Sequence, residues 1–167
     1  MKKGNLLKYM IAPYNAISAI FVLFFLGKGF WYPDPSEGLL TFIFKIFIFF
    51  VYIVFLLTNI SFWLNKNDYN SFSLKYNFWV QVFQSFTFRL FGIIFNIGAG
   101  AELIIYGIYN QSFSFGIEYK LWNYVLTLVY YLDDRSTIVL GFNIVSIVIA
   151  IFFYKLIMVE KNKKQTV

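Results

Sequence analysis

Long apolar runs alternate with short polar stretches along this chain, and the length of each run predicts how it folds. A membrane core about 30 Å thick is crossed by about 20 apolar residues in a helix. Four runs meet that length, at residues 9–30, 39–64, 78–109 and 137–159. We therefore predict an all-α fold: a polytopic membrane protein whose four transmembrane helices form a single domain over residues 1–167.

The third run is longer than one perpendicular span needs. A helix over residues 77–109 would extend about 48 Å at 1.5 Å per residue, so we expect it to be tilted, broken or to begin along the inner surface. After it, apolar residues recur at helical spacing over residues 121–132. This spacing predicts an amphipathic helix on the outer interface, with a re-entrant segment as the alternative.

The lysines indicate how the spans are oriented. One side of the predicted spans carries Lys2, Lys3, Lys8, Lys66, Lys75, Lys155, Lys161, Lys163 and Lys164. Cytoplasmic segments of membrane proteins are enriched in Lys and Arg. We therefore expect both termini in the cytoplasm and the protein in a bacterial cytoplasmic membrane. Because these positions account for the net charge of +6, that charge does not indicate a nucleic-acid partner.

The composition agrees with a membrane protein and excludes several kinds of chemistry. Hydrophobic residues make up 60% of the chain and charged residues 13%, against roughly half and a quarter in soluble domains. The chain contains no Cys and no His, which excludes disulfides, thiolate nucleophiles and imidazole ligands. Since no paired acids lie within the predicted spans either, we expect no enzyme, no metal and no cofactor.

Three charged residues within the predicted spans, Lys45, Arg89 and Glu102, are the candidate functional residues. A charge near the middle of a membrane costs several kcal/mol unless it is paired or hydrated. Lys45 and Glu102 fall at similar depths, each about 10 Å from the outer end of its span. Our hypothesis is that they form an ion pair between the second and third helices.

Arg89 has two interpretations. In the first, the third helix enters the membrane near Arg89, and its guanidinium reaches lipid phosphate at the inner surface. In the second, Arg89 faces a polar cavity and holds an anion, a proton-carrying carboxylate or a partner's acid. A stripe of polar and small residues on the same helix face is expected to pack against other helices. It contains Gln81, Ser85, Gly92, Asn96 and Gly100.

The adjacent carboxylates Asp133 and Asp134 also have two interpretations. Asp134 or Ser136 caps the start of the fourth helix, where the helix dipole favours an acid. Alternatively, the two aspartates join Glu118 in a cation site on the outer surface.

The sequence RLFG, followed by GAGAEL, resembles the arginine helix of the a subunit of rotary ATP synthases. This resemblance implies that Arg89 faces the proton-carrying carboxylates of a rotor ring, although Ile93 stands where that family has asparagine. The fragments FNIGAGAE and GFNIVSI resemble motifs of lipoprotein signal peptidases. Those enzymes need a second aspartate after the latter motif, and its absence here excludes their activity.

Three classes of function remain, in order of preference. The first is a small accessory, regulatory or immunity-type protein that acts as a partner or subunit of another membrane protein. The alternative is a subunit of an ion- or proton-translocating transporter or channel that uses Arg89 and Glu102. A membrane-embedded lipid enzyme comes last. The expected partners are the lipid bilayer and either another membrane protein or further copies of the chain.

Overall fold

A computed structural model describes residues 3–32, 38–64, 70–90, 93–130 and 137–165. In these ranges the chain forms five α-helices, one π-helical turn and four β-strands. In chain order they are α1 (Lys3–Leu6), the π-helical turn (Leu7–Ile11), α2 (Ala12–Trp31), α3 (Leu39–Leu64), α4 (Ser71–Gln84), β1 (Phe86–Leu90), β2 (Ile93–Asn110), β3 (Ser112–Tyr130), β4 (Ile138–Asn143) and α5 (Ile144–Gln165).

The first helical run continues from α1 through α2, and Pro13 explains its irregular start. Proline has no N–H, and its ring clashes with the carbonyl four residues earlier. The backbone accommodates it with the π-helical turn, in which the Ala12 N–H donates to the Leu7 carbonyl, five residues back. Such single π turns occur within otherwise regular α-helices.

Two helical stretches are long and apolar enough to cross a membrane. They are Leu7–Trp31, with 25 residues, and Thr41–Leu64, with 24 residues. At 1.5 Å per residue each is about 36–38 Å long, which exceeds a hydrocarbon core of about 30 Å. No other helix in the described ranges meets the same test. These two helices indicate that the protein associates with a membrane.

Helices α4 and α5 lie side by side and connect to neighbouring strands. The Asn70 side chain caps α4 by accepting a hydrogen bond from the Phe72 N–H at 3.0 Å. The Asn143 side chain caps α5 by accepting one from the Val145 N–H at 3.1 Å. The Asn143 N–H also donates to the Ser85 carbonyl at 2.9 Å, so the end of α4 is joined to the start of α5.

The strands form one antiparallel sheet in the order β1-β4-β2-β3. β1 additionally pairs with β2 at residues 93–96, whereas β4 pairs with β2 at residues 104–109. Because β1 and β4 are antiparallel to each other, the two parts of β2 that pair with them cannot run in the same direction. β2 therefore bends sharply between residues 97 and 103, and its hairpin partner β3 bends with it.

Local backbone geometry accounts for this bend. Gly100 has a φ of 90°, which residues with a side chain rarely adopt. The pairing of β2 with β3 also shifts between Gly100 and Glu102, so that two β3 residues lie opposite Ala101. A bulge of this kind increases the twist and bends the strand.

Two clusters of buried apolar side chains hold the elements together. The first lies between α2, α3, α4 and β2 and contains Ala19, Val22, Leu26, Ile48, Tyr52, Phe55, Val80, Ile97 and Ala99. The second joins the start of the first helical run to the end of α3, to α4 and to α5, and contains Leu7, Ala12, Phe62, Leu74, Phe153 and Leu156. The second cluster places the N-terminal helix and α5 at the same end of the helical layer.

The predicted all-α bundle of four spans is wrong. The spans predicted at 9–30 and 39–64 correspond to α2 and α3, whereas the one at 78–109 divides among α4, β1 and β2. The span predicted at 137–159 is β4 followed by α5. The predicted outer helix at 121–132 is the end of β3, with residues 131–132 outside the described ranges.

The composition of β2 and β3 explains why strands form where helices were expected. β2 contains six isoleucines and three glycines. β-Branched residues favour strands, and each glycine costs about 1 kcal/mol in a helix interior. The first half of β3, SFSFGIEYKL, alternates polar and apolar residues with the period of two that a half-buried strand requires. The length of an apolar run does not detect that period.

Candidate functional site

A group of buried polar side chains joins α2, α3 and α4, with Asn77 at its centre. The Asn77 amide nitrogen donates to Thr58 Oγ1 and to the Ser73 carbonyl, both at 2.9 Å. Its amide oxygen accepts from Asn59 at 2.7 Å and from Asn15 at 3.4 Å. The polar cluster, as we call it, comprises Asn15, Thr58, Asn59, Asn77 and Gln81.

The other members of the polar cluster bond to one another. Asn15 donates to the Asn59 amide oxygen at 3.3 Å, and Gln81 donates to the Asn15 amide oxygen at 3.1 Å. Asn77 and Gln81 are four residues apart on α4, so they lie on one helix face. Because each helix contributes both donors and acceptors, the polar cluster fixes the relative positions of the three helices.

The bend of β2 holds a buried carboxylate. Glu102 is 1% exposed, and its carboxylate folds back over Gly98, where a Cβ atom would overlap it. Glycine at position 98 therefore makes room for the acid. Burial of a charged group is costly unless its surroundings compensate, so the residues around Glu102 are strong candidates for a functional role.

Helix α2 supplies the other wall of the bend. The Ala101 N–H donates to the Tyr14 hydroxyl at 2.8 Å. The hydroxyls of Tyr14 and Ser18 both lie against Gly100, where a Cβ atom would collide with them. These contacts tie β2 to α2. The bend site, as we call it, comprises Tyr14, Ser18, Gly98, Gly100 and Glu102.

The structure does not bring Lys45 to Glu102. The Lys45 Nζ atom lies 3.7 Å from the Cβ position of Gly29, whereas Glu102 adjoins the strand residue that bonds Tyr14. Gly29 and Tyr14 are at opposite ends of α2, about 22 Å apart at 1.5 Å per residue. The hypothesis of a Lys45–Glu102 ion pair is therefore not supported.

Arg89 lies on β1 and is half-buried. It pairs in register with Val139 of β4, which pairs in turn with Ile108 of β2. Cross-strand partners share a face of the sheet, so Arg89 and Glu102 lie on the same face. Because the segment is a strand, its resemblance to the arginine helix of ATP synthases does not extend to its structure.

The polar stripe predicted for the third helix is divided among different elements. Gln81 belongs to α4 and to the polar cluster, and Ser85 forms the turn that follows α4. Asn96 lies in the first part of β2, and Gly100 lies at its bend. Gly92 falls outside the described ranges. These residues therefore do not form one helix-packing surface.

The two hypotheses for Asp133 and Asp134 fall on residues outside the described ranges. Helix α5 begins several residues later than the predicted fourth helix, and Asn143 caps it. Glu118, the third residue of the suggested cation site, pairs with Lys120 at 2.8 Å, and both side chains are partly exposed.

One face of the sheet is apolar and exposed. We identify its members from the strand register, because directly paired residues share a face. The apolar sheet face, as we call it, comprises Phe86, Ile105, Tyr109, Phe113, Phe115, Ile117, Tyr119, Leu121, Leu140 and Phe142. The charged residues of the described strands all lie on the opposite face: Arg89, Glu102, Glu118 and Lys120.

The apolar sheet face is large enough to be an interface. Its six aromatic side chains are between 45% and 78% exposed, and at about 200 Å² each they present roughly 700 Å². The largest apolar patch of a typical soluble monomer is about 300–600 Å². One partner in a standard protein–protein interface contributes about 800 Å².

The outer edge of β3 adjoins the apolar sheet face and has no neighbouring strand in the described ranges. Residues 112–121 are all exposed or half-exposed. An open edge presents a row of unpaired backbone N–H and C=O groups, which another strand is able to pair with. This part of β3 therefore offers both apolar side chains and free backbone groups.

A cavity of about 270 Å³ lies between α3, α4 and the first part of β2. Two polar pairs at its wall are bonded within the protein. Gln84 donates to the Tyr52 hydroxyl at 2.6 Å, and the Tyr76 hydroxyl donates to the Val51 carbonyl at 2.8 Å. The cavity therefore offers apolar contacts and no charge.

Comparisons with protein families, curated proteins and solved structures found no match. The apolar sheet face, the polar cluster and the bend site are therefore the basis for a functional proposal.

Sequence reasoning identified Glu102 but missed its surroundings. Tyr14 gave no signal, because nothing in the sequence places it beside residue 101. Asn77 was detectable, since Ser73, Asn77 and Gln81 are spaced by four residues and predict one polar helix face. The apolar sheet face was detectable from the alternation in SFSFGIEYKL.

Proposed function

We propose that this protein is a non-enzymatic accessory protein of a membrane complex, which binds another membrane protein through the apolar sheet face. One observation carries the proposal: the apolar sheet face and the open edge of β3 are uncovered side by side. Neither of the two media available to a membrane-associated protein suits both features.

Water does not suit the apolar sheet face. Roughly 700 Å² of exposed aromatic surface would leave about 17 kcal/mol of transfer free energy unrealised at 25 cal/mol per Å². Phe115 and Ile117 alone are 78% and 72% exposed. Exposed apolar patches of this size mark sites of interaction with proteins or membranes.

Lipid does not suit the edge of β3. A hydrocarbon medium has no groups that bond the free N–H and C=O groups of a strand, and each unsatisfied group costs several kcal/mol. Lipid-exposed open sheet edges do not occur within the hydrocarbon region for this reason. A bilayer alone therefore covers the apolar side chains but not the backbone beside them.

A protein partner satisfies both requirements. A strand added to residues 112–121 would pair the backbone groups, and its side chains would cover the aromatic residues. This mode of recognition, in which a peptide extends an existing sheet, takes affinity from main-chain hydrogen bonds and specificity from alternate side chains. The partner predicted by this chemistry is an extended, apolar segment of another membrane protein.

We further propose that both termini are cytoplasmic and that the hairpin tip is on the other side of the membrane. The shared position of the N-terminal helix and α5 supports this topology, as does the concentration of lysines at that end. The chain has no Cys, so single introduced cysteines report topology cleanly. An Asn5→Cys variant should react with an impermeant maleimide only after permeabilisation, and Ser114→Cys should react in intact cells. The reverse pattern would contradict the topology.

Site-specific photocrosslinking in native membranes tests the accessory role. A benzophenone amino acid is placed at Phe115, at Ile117 or at Leu140 on the apolar sheet face, and at Ser114 on the opposite face. We expect the three face positions to crosslink to one and the same membrane protein, identified by mass spectrometry, and Ser114 not to do so.

A matched pair of substitutions then tests whether the contact is specific. Ile117→Arg places a charge on the apolar sheet face, and Ser114→Arg places one on the opposite face of the same strand. The first should abolish stoichiometric co-purification of the crosslinked protein while the second preserves it. Crosslinks to lipid alone, from every position, would refute the accessory role. Crosslinks only between copies of the chain would replace it with self-association.

Ion passage is the second candidate, and the burial of Glu102 within the bend site favours it. Intramembrane acids commonly belong to ion or proton pathways. Purified protein in liposomes should then conduct protons or Na⁺, and both Arg89→Ala and Glu102→Gln should abolish the flux while the protein remains folded. Absence of flux above that of empty liposomes would eliminate this candidate and leave the accessory role untouched.

A further inference from the structure

Two buried oxygen atoms beside the bend site take part in no hydrogen bond in the described part of the chain. They are Ser18 Oγ and Gln81 Oε1, on side chains that are each 2% exposed. Roughly nine in ten or more buried polar groups in proteins have a hydrogen-bond partner. Two exceptions close together therefore indicate that something else satisfies them.

The two oxygens are near each other and near a negative charge. The Gln81 side chain donates to Asn15 at 3.1 Å, and Asn15 is a neighbour of Ser18 on the same face of α2, three residues away. Ser18 Oγ also lies 2.6 Å from the Cβ position of Gly100. Both oxygens thus border the bend, where Glu102 is buried.

The nearby donors are already engaged. The Asn15 amide nitrogen donates to Asn59 and to Asn77, and the Asn77 amide nitrogen donates to Thr58 and to a backbone carbonyl. The Ala101 N–H donates to the Tyr14 hydroxyl. A carboxylate and acceptor oxygens, beside donors that are occupied, match the ligand preference of a hard cation and not that of an anion.

We propose that Glu102, Ser18 and Gln81 bind one alkali-metal cation, such as Na⁺, at the bend of β2. A single carboxylate with neutral oxygens balances one positive charge, and the described residues contain no group of three acidic, His or Cys side chains for a more highly charged metal ion. The cation lowers the cost of burying the Glu102 charge. It also links three elements, because its ligands come from α2, α4 and β2.

The inference goes beyond the accessory role and does not depend on ion passage, since a structural cation need not move. Binding is measured directly with ²²Na⁺ on the purified full chain in detergent. Thermal stability is compared in sodium, potassium and choline chloride at equal ionic strength. We expect saturable binding of one Na⁺ per chain, and a melting temperature that rises with Na⁺ and does not rise with choline.

Matched variants assign the effect to the site. Glu102→Gln removes the charge and should abolish ²²Na⁺ binding. Gln81→Met removes one oxygen and should weaken binding about tenfold, the factor for roughly 1.4 kcal/mol. Gln84→Met is the control, because Gln84 is a buried glutamine on the same helix that bonds Tyr52 instead. It should lower stability without changing the affinity for Na⁺.

Either of two results would overturn the proposal. One is equal stability in all three chlorides without saturable ²²Na⁺ binding, which would mean that water satisfies the two oxygens. The other is an equal loss of Na⁺ affinity in the Gln81→Met and Gln84→Met variants, which would place the ion elsewhere. If Glu102→Gln fails to fold, the comparison of the two glutamine variants still decides.

Discussion

The polar cluster should make a measurable contribution to stability, and Asn77→Ala is the change that tests it. Asn77 makes three hydrogen bonds to other helices: to Thr58 at 2.9 Å, with Asn59 at 2.7 Å and with Asn15 at 3.4 Å. Its fourth bond, to Ser73, stays within α4. Alanine removes all four and leaves a small cavity.

The expected magnitude follows from what each partner retains. Hydrogen bonds between membrane helices average about 0.6 kcal/mol, so three give about 2 kcal/mol. The figure stays near this value because no partner is left without a bond. Asn59 still donates to the Phe55 carbonyl at 2.7 Å, Thr58 to the same carbonyl at 2.9 Å, and Asn15 to Asn59 at 3.3 Å.

Equilibrium unfolding in mixed micelles, followed by tryptophan fluorescence, measures the change. Asn5→Ala is the control, because Asn5 is an exposed asparagine on α1. A double-mutant cycle of Asn77→Ala with Asn59→Ala should give a coupling above 0.5 kcal/mol, as expected for residues in contact. If Asn77→Ala and Asn5→Ala lower the free energy of unfolding equally, the polar cluster does not hold the helices together.

The same unfolding measurement checks three smaller predictions. Gly141→Ala should destabilise the protein by about 1–3 kcal/mol, because its Cβ would lie within 2.5–3.2 Å of three side-chain atoms; a neutral result would mean that β1, β2 and β4 pack loosely there. Gly27→Ala is its counterpart, with nothing within 4 Å of the new Cβ, and should stabilise α2 by up to about 1 kcal/mol; a loss of stability would show an unseen contact. Gln111→Gly should stabilise the β2–β3 hairpin by about 1 kcal/mol, since Gln111 has a φ of 61°; no gain would mean that the turn is not strained. Lys120→Ala should change stability by less than about 1 kcal/mol, because its pair with Glu118 is partly exposed; a larger loss would indicate burial in an assembly.

The two helices that were predicted correctly, α2 and α3, are those whose identity depends on length and hydropathy alone. Their apolar runs exceed 20 residues, and no strand of a small domain needs so many. Only the finer features of α2 escaped prediction, such as the π-helical turn before Pro13. That turn depends on where the backbone finds a substitute for a missing donor, which local sequence does not determine.

The errors occurred where length and period give different answers. Residues 78–109 form one apolar run, yet α4 ends at Gln84 and the rest is strand. The depth assigned to Glu102, and with it the ion pair to Lys45, assumed a rise of 1.5 Å per residue throughout. A strand rises about 3.3 Å per residue, and β2 also reverses its direction. The position of Glu102 beside Tyr14 therefore depended on a bend that only Gly98 and Gly100 hinted at.

Changing the period from 3.6 to 2 resolves why charges occur in such an apolar stretch. On a helix, Arg89 and Glu102 point in different directions, and each needs its own compensation. On the sheet, Arg89, Glu102, Glu118 and Lys120 share one face, and the apolar sheet face opposite is free of charge. The charges are therefore not isolated costs in a membrane span. They belong to the polar side of a two-sided sheet, and their segregation is what leaves the other side suited to a partner.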